Sequence, residues 1–408
     1  MTGSGQMHAG EKRERAALLA LLILFSVGLY LNTLTSEFVS DDISQILKNE
    51  WIRDVRYIPQ FFFRSLWSFL PSEVYSNYYR PFQNLFFMFG YMISGESSWG
   101  YHVINIVLHS ASGVLVFLIS SLLIQGPSNR EAKGVKGRAV LLLSFLAAIL
   151  FITNPINTES VAWASAANEL LFAFFFLLAL FLFMNNRFYL SAIFFLCSVF
   201  SKETGLVFIF FIIAYDIAIK RETIFPLKPW AARYWPYAPV FVVYILLRYN
   251  AIGGIVPYET ANRALTGFEY FLNILPLTAE FLKNLVYPFN LIFFHYGRLD
   301  YIYSFFELWN LIYMAIFILW LYIMKLLWRR ERALFFSIIW IVIPLIPIFY
   351  LGWNQGEPTY ADRFLYAPSA GFGVFVSLVV RAIVTRSAFK GNEIKAGVII
   401  GAVFFIVV

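Results

Sequence analysis

The chain has 408 residues, of which 60% are hydrophobic and 13% charged, with a formal net charge of +7. Leu, Ile, Phe and Val recur in runs of about 17 to 22 residues, the length that crosses about 30 Å of hydrocarbon as a helix, so the sequence predicts an all-α polytopic membrane protein and excludes a soluble globular domain. The basic residues fall in short clusters between apolar runs, where they report topology rather than nucleic-acid binding.

The first apolar run, Ala16 to Leu34, follows Lys12, Arg13 and Arg15 and is too long for a signal peptide, so it reads as a first transmembrane helix directed outward. Residues 35–98 then form the first outer loop. Within it, Trp51 to Leu70 and Pro81 to Ile93 are rich in aromatics but short of spanning length, and predict interfacial helices bordering a lipid groove.

Later helices are expected over Trp99 to Leu123, Ala139 to Thr153, Glu169 to Met184 and Phe188 to Ser201, with a sixth between Glu203 and Lys220 and a seventh over Tyr234 to Arg248. Basic loops containing Arg130, Lys133, Lys136 and Arg138, and Lys220, Arg221, Lys228 and Arg233, are placed inside, and a loop with Gly253, Gly254, Pro257 and Tyr258 outside. Phe268 to Phe294 is apolar but broken by Pro276 and Pro288; a span here would set His295 to Tyr303 inside and Lys325 to Arg332 outside, against the charge rule, so it reads as re-entrant or interfacial. Helices then follow over Ser304 to Leu327, Ala333 to Leu351 and Phe364 to Val380, the last ending at Arg381, Arg386, Lys390 and Lys395 before the shorter run Ala396 to Val408. Of the 31 Lys and Arg, about 20 fall inside and about 11 outside on this arrangement. The single cysteine, Cys197, lies in an apolar run, which excludes an internal disulfide and a cysteine-based metal site.

The acidic pair Asp41 and Asp42 opens the first outer loop. Adjacent carboxylates in low-dielectric surroundings repel one another and acquire raised pKa values, which suits a general base at a membrane surface. Asp42 followed by Gln45 equally has the form of a helix N-cap with a capping box. At the expected outer helix ends stand Arg80, Glu159, Glu169, Lys202, Glu203, Asp362 and Arg363. Single residues of this kind are commonly snorkelling side chains or surface ion pairs, but carboxylates for proton transfer together with Lys and Arg for a phosphate are what sugar transfer from a lipid-linked phosphosugar requires. His102 and His109 lie two turns apart on one face of the second helix and read as interhelical hydrogen-bonding residues rather than metal ligands. No metal or other cofactor is required, although Asp41, Asp42 and Glu159 offer oxygen ligands for a hard divalent ion.

Ordered motifs run through these positions: Phe38-Val39-Ser40-Asp41-Asp42, Tyr79-Arg80-Pro81-Phe82, the stretch Tyr101 to His109, the stretch Asn154 to Trp163, Ser201-Lys202-Glu203-Thr204-Gly205, and Ala361 to Ser369. Together they resemble the membrane part of the transmembrane-and-tetratricopeptide-repeat O-mannosyltransferases and their bacterial relatives, of the GT-C glycosyltransferase fold. The resemblance implies a single membrane domain over 1–408, a bundle of about 11 transmembrane helices, and no soluble domain. It further implies an inverting transferase that moves a sugar, mannose by family habit, from a polyprenyl phosphate to a hydroxyl of protein Ser/Thr or of a glycan or lipid. Asp41 is then the base with Asp42 its partner, and Lys202, Arg363 and Arg80 hold the donor phosphate. Glu159, Glu169, Glu203, Asp362, His102 and His109 support the site. The active site is expected on the periplasmic side of a bacterial inner membrane, or the lumenal side of the endoplasmic reticulum in a eukaryote. Asn154 stands where the family often has His, Ala167 where it often has Arg, and the tetratricopeptide repeats are not in this sequence. The alternative class is a lipid or solute transporter, which usually shows repeats and midplane charges on broken helices. The discriminating observation is whether the acidic pair and the Lys/Arg set share one outward-opening cavity.

Overall fold

In a computed structural model, residues 3–70, 76–126, 137–222, 227–254, 266–289, 291, 304–349 and 360–386 are described, and every regular element among them is helical. The helices are α1 (Gly3–Tyr30), α2 (Ile58–Phe63), α3 (Pro81–Ser94), α4 (Trp99–Gln125), α5 (Arg138–Thr153), α6 (Thr158–Ala162), α7 (Ala167–Met184), α8 (Phe188–Ser201), α9 (Phe208–Tyr215), α10 (Leu227–Tyr234), α11 (Tyr237–Ile252), α12 (Gly267–Val286), α13 (Leu308–Arg330), α14 (Arg332–Val342) and α15 (Tyr366–Arg386). Six described stretches are long and apolar enough to cross a membrane: Gly10–Thr35, Trp99–Gln125, Ala164–Met184, Leu308–Arg330, Arg332–Phe349 and Asp362–Val384. A seventh is added if α5 and Pro155–Ala162, bent by 49° at their junction, form one span. The expected count of about 11 is therefore not reached among the described residues. Part of the difference lies in α8 and α11, apolar helices of 14 and 16 residues.

The core of the bundle is α4, α5, α7 and α15, whose inward faces bury Val116, Phe117, Phe151, Leu170, Phe176 and Ala370 in one apolar cluster. Close helix approach depends on small residues, as in membrane bundles generally. A Cβ at Gly373 of α15 would lie 2.3 Å from the carbonyl oxygen of Ala147, so α15 can meet the α5 backbone only with glycine there. By contrast α13 buries 6% of its apolar window, so nearly all of it faces outward, as suits a lipid-facing span.

The first outer loop differs from expectation in its first half. Over Trp51 to Leu70 the chain forms short 3₁₀ turns at Glu50–Arg53 and Val55–Tyr57 and the six-residue α2. Asn49 and Asp54 each start a turn by accepting a backbone N–H, and such caps break the aromatic stretch into pieces. The second half is the expected helix, α3, with Pro81 at its first turn.

The sixth expected helix is also broken, into a 3₁₀ turn (Glu203–Val207), α9 and a π-helical turn (Asp216–Lys220). Gly205 explains the first break: a Cβ there would lie 2.8 Å from the Val199 backbone nitrogen, so the chain folds tightly back against the end of α8. Conversely, the segment expected to break at Pro276 is one helix, α12, which carries that proline inside it and ends before Pro288. A capping box of Thr266 and Glu269 starts it. Arg130, Lys133, Lys136, Pro257, Tyr258, His295 to Tyr303, Lys390, Lys395 and Ala396 to Val408 lie outside the described residues.

Candidate active site

The acidic pair is presented by a strained turn. Ser40 holds φ at 51°, a left-handed conformation costly for a residue with a Cβ, and the amide nitrogens of Asp42 and Ile43 donate back to the carbonyls of Val39 and Ser40. The turn points the two carboxylates into different surroundings. Asp42 is 1% exposed and both of its oxygens are occupied: Oδ2 accepts from the Val39 N–H at 3.1 Å and Oδ1 from the Ser165 N–H at 2.7 Å. It makes no side-chain cap to the π turn that follows it, and Gln45 bonds elsewhere, so the capping-box reading fails. Asp41 lines an open cleft and accepts no hydrogen bond among the described residues. Burial pushes both carboxyls above their ordinary pKa; Arg363 partly offsets this at Asp41, and the Ser165 and Val39 hydrogen bonds do so at Asp42.

The cleft holds about 670 Å³ of empty space, counting the solvent at its open mouth. Its walls bring together segments far apart in sequence: Asp41 from the first loop, Arg80 before α3, Glu169 in the first turn of α7, Lys202 after α8, and Arg363 before α15. Asp41 and the three cations share one cavity, with Asp42 lying just behind its wall.

Each cation is held by a carboxylate. Lys202 Nζ donates to Glu169 at 2.5 Å, with both side chains no more than 3% exposed. Arg80 meets Glu203 in a bidentate fork at 3.1 and 2.7 Å. Arg363 gives Nη1 to one oxygen of Glu159 at 2.5 Å and its backbone N–H to the other at 2.8 Å. Burial raises the Glu203 carboxyl, but Arg80, Arg248 and Lys202 more than offset it and hold the group at about 2. Lys202 is pushed down by burial, against the opposing pull of Glu169. The aromatic lining residues complete the clamps. Arg80 lies over Tyr78 at 4.3 Å, Lys202 over Phe364 at 4.5 Å, and Arg363 over Trp163 at 5.3 Å.

Because Glu203 and Glu159 sit outside the lining, the charged lining residues are Asp41, Glu169, Arg80, Lys202 and Arg363, with one more positive group than negative. Lys202 and Arg363 also keep N–H groups without a hydrogen-bond partner among the described residues. Such a surface can receive an anion in the presence of a basic carboxylate.

Besides Glu159 and Glu203, three more expected supporting residues stand outside the lining. His109 is buried in the bundle, its Nδ1 2.8 Å from the Tyr366 hydroxyl and its Nε2 3.2 Å from the Ile152 carbonyl, which joins α4, α5 and α15. His102 is buried in the first turn of α4. Asp362 accepts from the Tyr360 hydroxyl at 3.0 Å, and that hydroxyl in turn accepts from Asn284 of α12. Among the described residues no three or more His, Cys, Asp or Glu are grouped to hold a metal ion, and Glu159 is engaged by Arg363 rather than by the acidic pair.

The sequence reading did not single out Gln83, Ser165 or Asn168, all of which line the cleft. With its amide oxygen facing Arg80, Asn168 accepts from Nη1 at 3.2 Å and donates to the Ser165 carbonyl at 3.1 Å. The one available signal was polarity out of place, since Gln83 and Asn84 interrupt an otherwise apolar helix.

No family model matches the chain, and no solved structure does. Curated relatives are found by sequence. The chain is 28% identical over 405 residues to Protein O-mannosyl-transferase F38B6.6 of Caenorhabditis elegans, covering 96% of this chain and 55% of that protein. It is 24% identical over 422 residues to Protein O-mannosyl-transferase TMTC3 of Homo sapiens, covering 91% of this chain and 43% of that protein. Over a shorter stretch of 164 residues, 39% of this chain and 22% of the relative, it is 34% identical to human Protein O-mannosyl-transferase TMTC4. The chain thus spans about half the length, or less, of the curated relatives it matches. With helices of membrane-crossing length among its described residues and relatives matched along more than nine-tenths of it, the chain is a multi-pass membrane protein similar to the TMTC-type protein O-mannosyl-transferases.

Proposed function

We propose that the chain transfers a sugar, mannose in keeping with the names of its relatives, from a polyprenyl phosphate to a hydroxyl of a protein Ser or Thr, on the non-cytoplasmic face of its membrane. The observation that carries this reading is the contrast inside one cleft: Asp41 has a raised pKa and no hydrogen bond among the described residues, and it faces three clamped cations. In the reaction the acceptor oxygen loses its proton to an Asp41 oxygen as it bonds to the anomeric carbon. The bond from that carbon to the phosphate oxygen breaks, and the polyprenyl phosphate leaves with the electron pair. Lys202 and Arg363, with Arg80 beside them, stabilise the charge that develops on the departing phosphate. Asp42 carries no proton in this scheme. It fixes the turn by joining Val39 to Ser165 and so aims its neighbour. The test is to incubate the purified chain with a panel of radiolabelled polyprenyl-phosphate sugars and a Ser/Thr-rich acceptor. Labelled acceptor from the mannose donor is the expected result. Failure of every sugar in the panel to transfer, with the protein folded, contradicts the proposal.

A further inference from the structure

The reaction above uses the charges of the cleft and leaves its amides without a task. Gln45, on the turn that follows the acidic pair, and Gln83, in the first turn of α3, both line the cleft and are 4% and 1% exposed. Gln83 Nε2 donates to Gln45 Oε1 at 2.9 Å and to the Ser165 carbonyl at 3.1 Å. A carbonyl only accepts, so this contact fixes which way the Gln83 amide points, and that in turn fixes Gln45. What remains is one acceptor and one donor. Gln83 Oε1 is buried with no hydrogen-bond partner among the described residues, and Gln45 Nε2 has no bond to any described group. Leaving a buried acceptor unpaired is costly, so a group from outside the chain is expected to complete it.

An acceptor and a donor on touching amides are the complement of two neighbouring hydroxyls, one donating and one accepting. The peptide unit that orients this array, Ser165, also gives its N–H to Asp42, so the amides are in register with the acidic turn. We propose that Gln83 and Gln45 form a carbohydrate subsite that reads two adjacent ring hydroxyls of the transferred sugar. The inference rests on the transferase reading above and adds the residues that select the sugar.

The experiment uses the full chain with polyprenyl-phosphate mannose and derivatives in which one ring hydroxyl at a time is replaced by hydrogen. The unaltered protein is expected to discriminate against two adjacent deoxy positions by about tenfold each in kcat/KM, the order of the net contribution of one hydrogen bond. Gln83→Met is expected to abolish the discrimination at one of these positions and Gln45→Met at its neighbour, each keeping discrimination elsewhere on the ring. Either variant suffices if the other does not fold. Equal losses for all donors, with the discrimination pattern unchanged, overturn the subsite and leave the amides a packing role. Absence of transfer from every donor overturns the transferase reading itself, and the subsite with it.

Discussion

Ionisable side chains gather at both ends of α7, and the two groups are arranged differently. At its start, Glu169, Lys202, Arg80, Glu203, Arg363 and Glu159 pair around a cleft in which Asp41 has no hydrogen bond among the described residues. At the far end, about 27 Å along an 18-residue helix, Asp216 takes Arg233 at 2.5 Å and the Tyr234 hydroxyl at 2.9 Å. There Arg233 also pairs with Glu222, and Lys220 reaches Asn186 beyond the end of α7. The far group uses its charges on one another and closes a helix end. The near group places Glu203 and Glu159 behind their cations, which leaves cationic N–H groups and the Asp41 carboxylate on the wall without a hydrogen-bond partner among the described residues. Residue types alone do not separate the two; what does is which partners lie on the wall and which behind it.

The largest expected effect comes from breaking a pair at the cleft. Lys202→Met strands Glu169, which is 3% exposed, and removal of one partner of a buried pair costs about 3–5 kcal/mol. Thermal unfolding in detergent should show that loss, and affinity for a donor analogue should fall with it. The double variant Lys202→Met with Glu169→Gln is expected to regain most of the stability without regaining donor affinity. Recovery of both would reduce Lys202 to a strut between α7 and α8. The far group supplies the contrasting case. Asp216→Asn should cost about 1.5–3 kcal/mol of stability by weakening a charge-assisted bond, while the folded protein keeps its transfer rate. A fall in rate at equal folded fraction would erase the distinction between the two ends.

A smaller effect concerns pH. Asp41 must be ionised to accept a proton, and burial raises its pKa, so kcat/KM is expected to fall as pH drops through a value above the ordinary 3.8. Arg363 opposes that rise, so Arg363→Gln should move the acidic limb to higher pH, whatever it does to the maximal rate. A limb that stays in place would mean that another group sets it.

Much of this arrangement was legible in the chain. The helix over Phe188 to Ser201 lies where the apolar run places it, and Pro81 at the first turn of α3 announces that helix. The cations and Asp41 were readable as polar residues at expected helix ends. Their partners were not, because Arg80 and Glu203 are 123 residues apart and Glu159 and Arg363 are 204 apart, distances that only the bundle brings to contact. Local rules misled in two directions. Pro276 promises a break that α12 absorbs, and Asp42 with Gln45 has the spacing of a capping box while its carboxylate bonds to Val39 and Ser165. The two histidines share a helical face, but that face packs into the bundle rather than toward the cleft.

The central claim is that adjacent aspartates have different tasks, Asp41 taking the proton and Asp42 holding the turn. It is tested most directly by measuring single-turnover sugar transfer from a polyprenyl-phosphate donor for Asp41→Asn and Asp42→Asn, at folded fractions matched by thermal unfolding. Asp41→Asn is predicted to lower the rate by about 10² to 10⁴ with donor affinity retained, the usual contribution of positioned proton transfer. Asp42→Asn is predicted to lose less rate and more stability, because an amide can accept only one of the two N–H groups that its oxygens now hold. Near-normal turnover by Asp41→Asn, with Asp42→Asn inactive, would contradict the account.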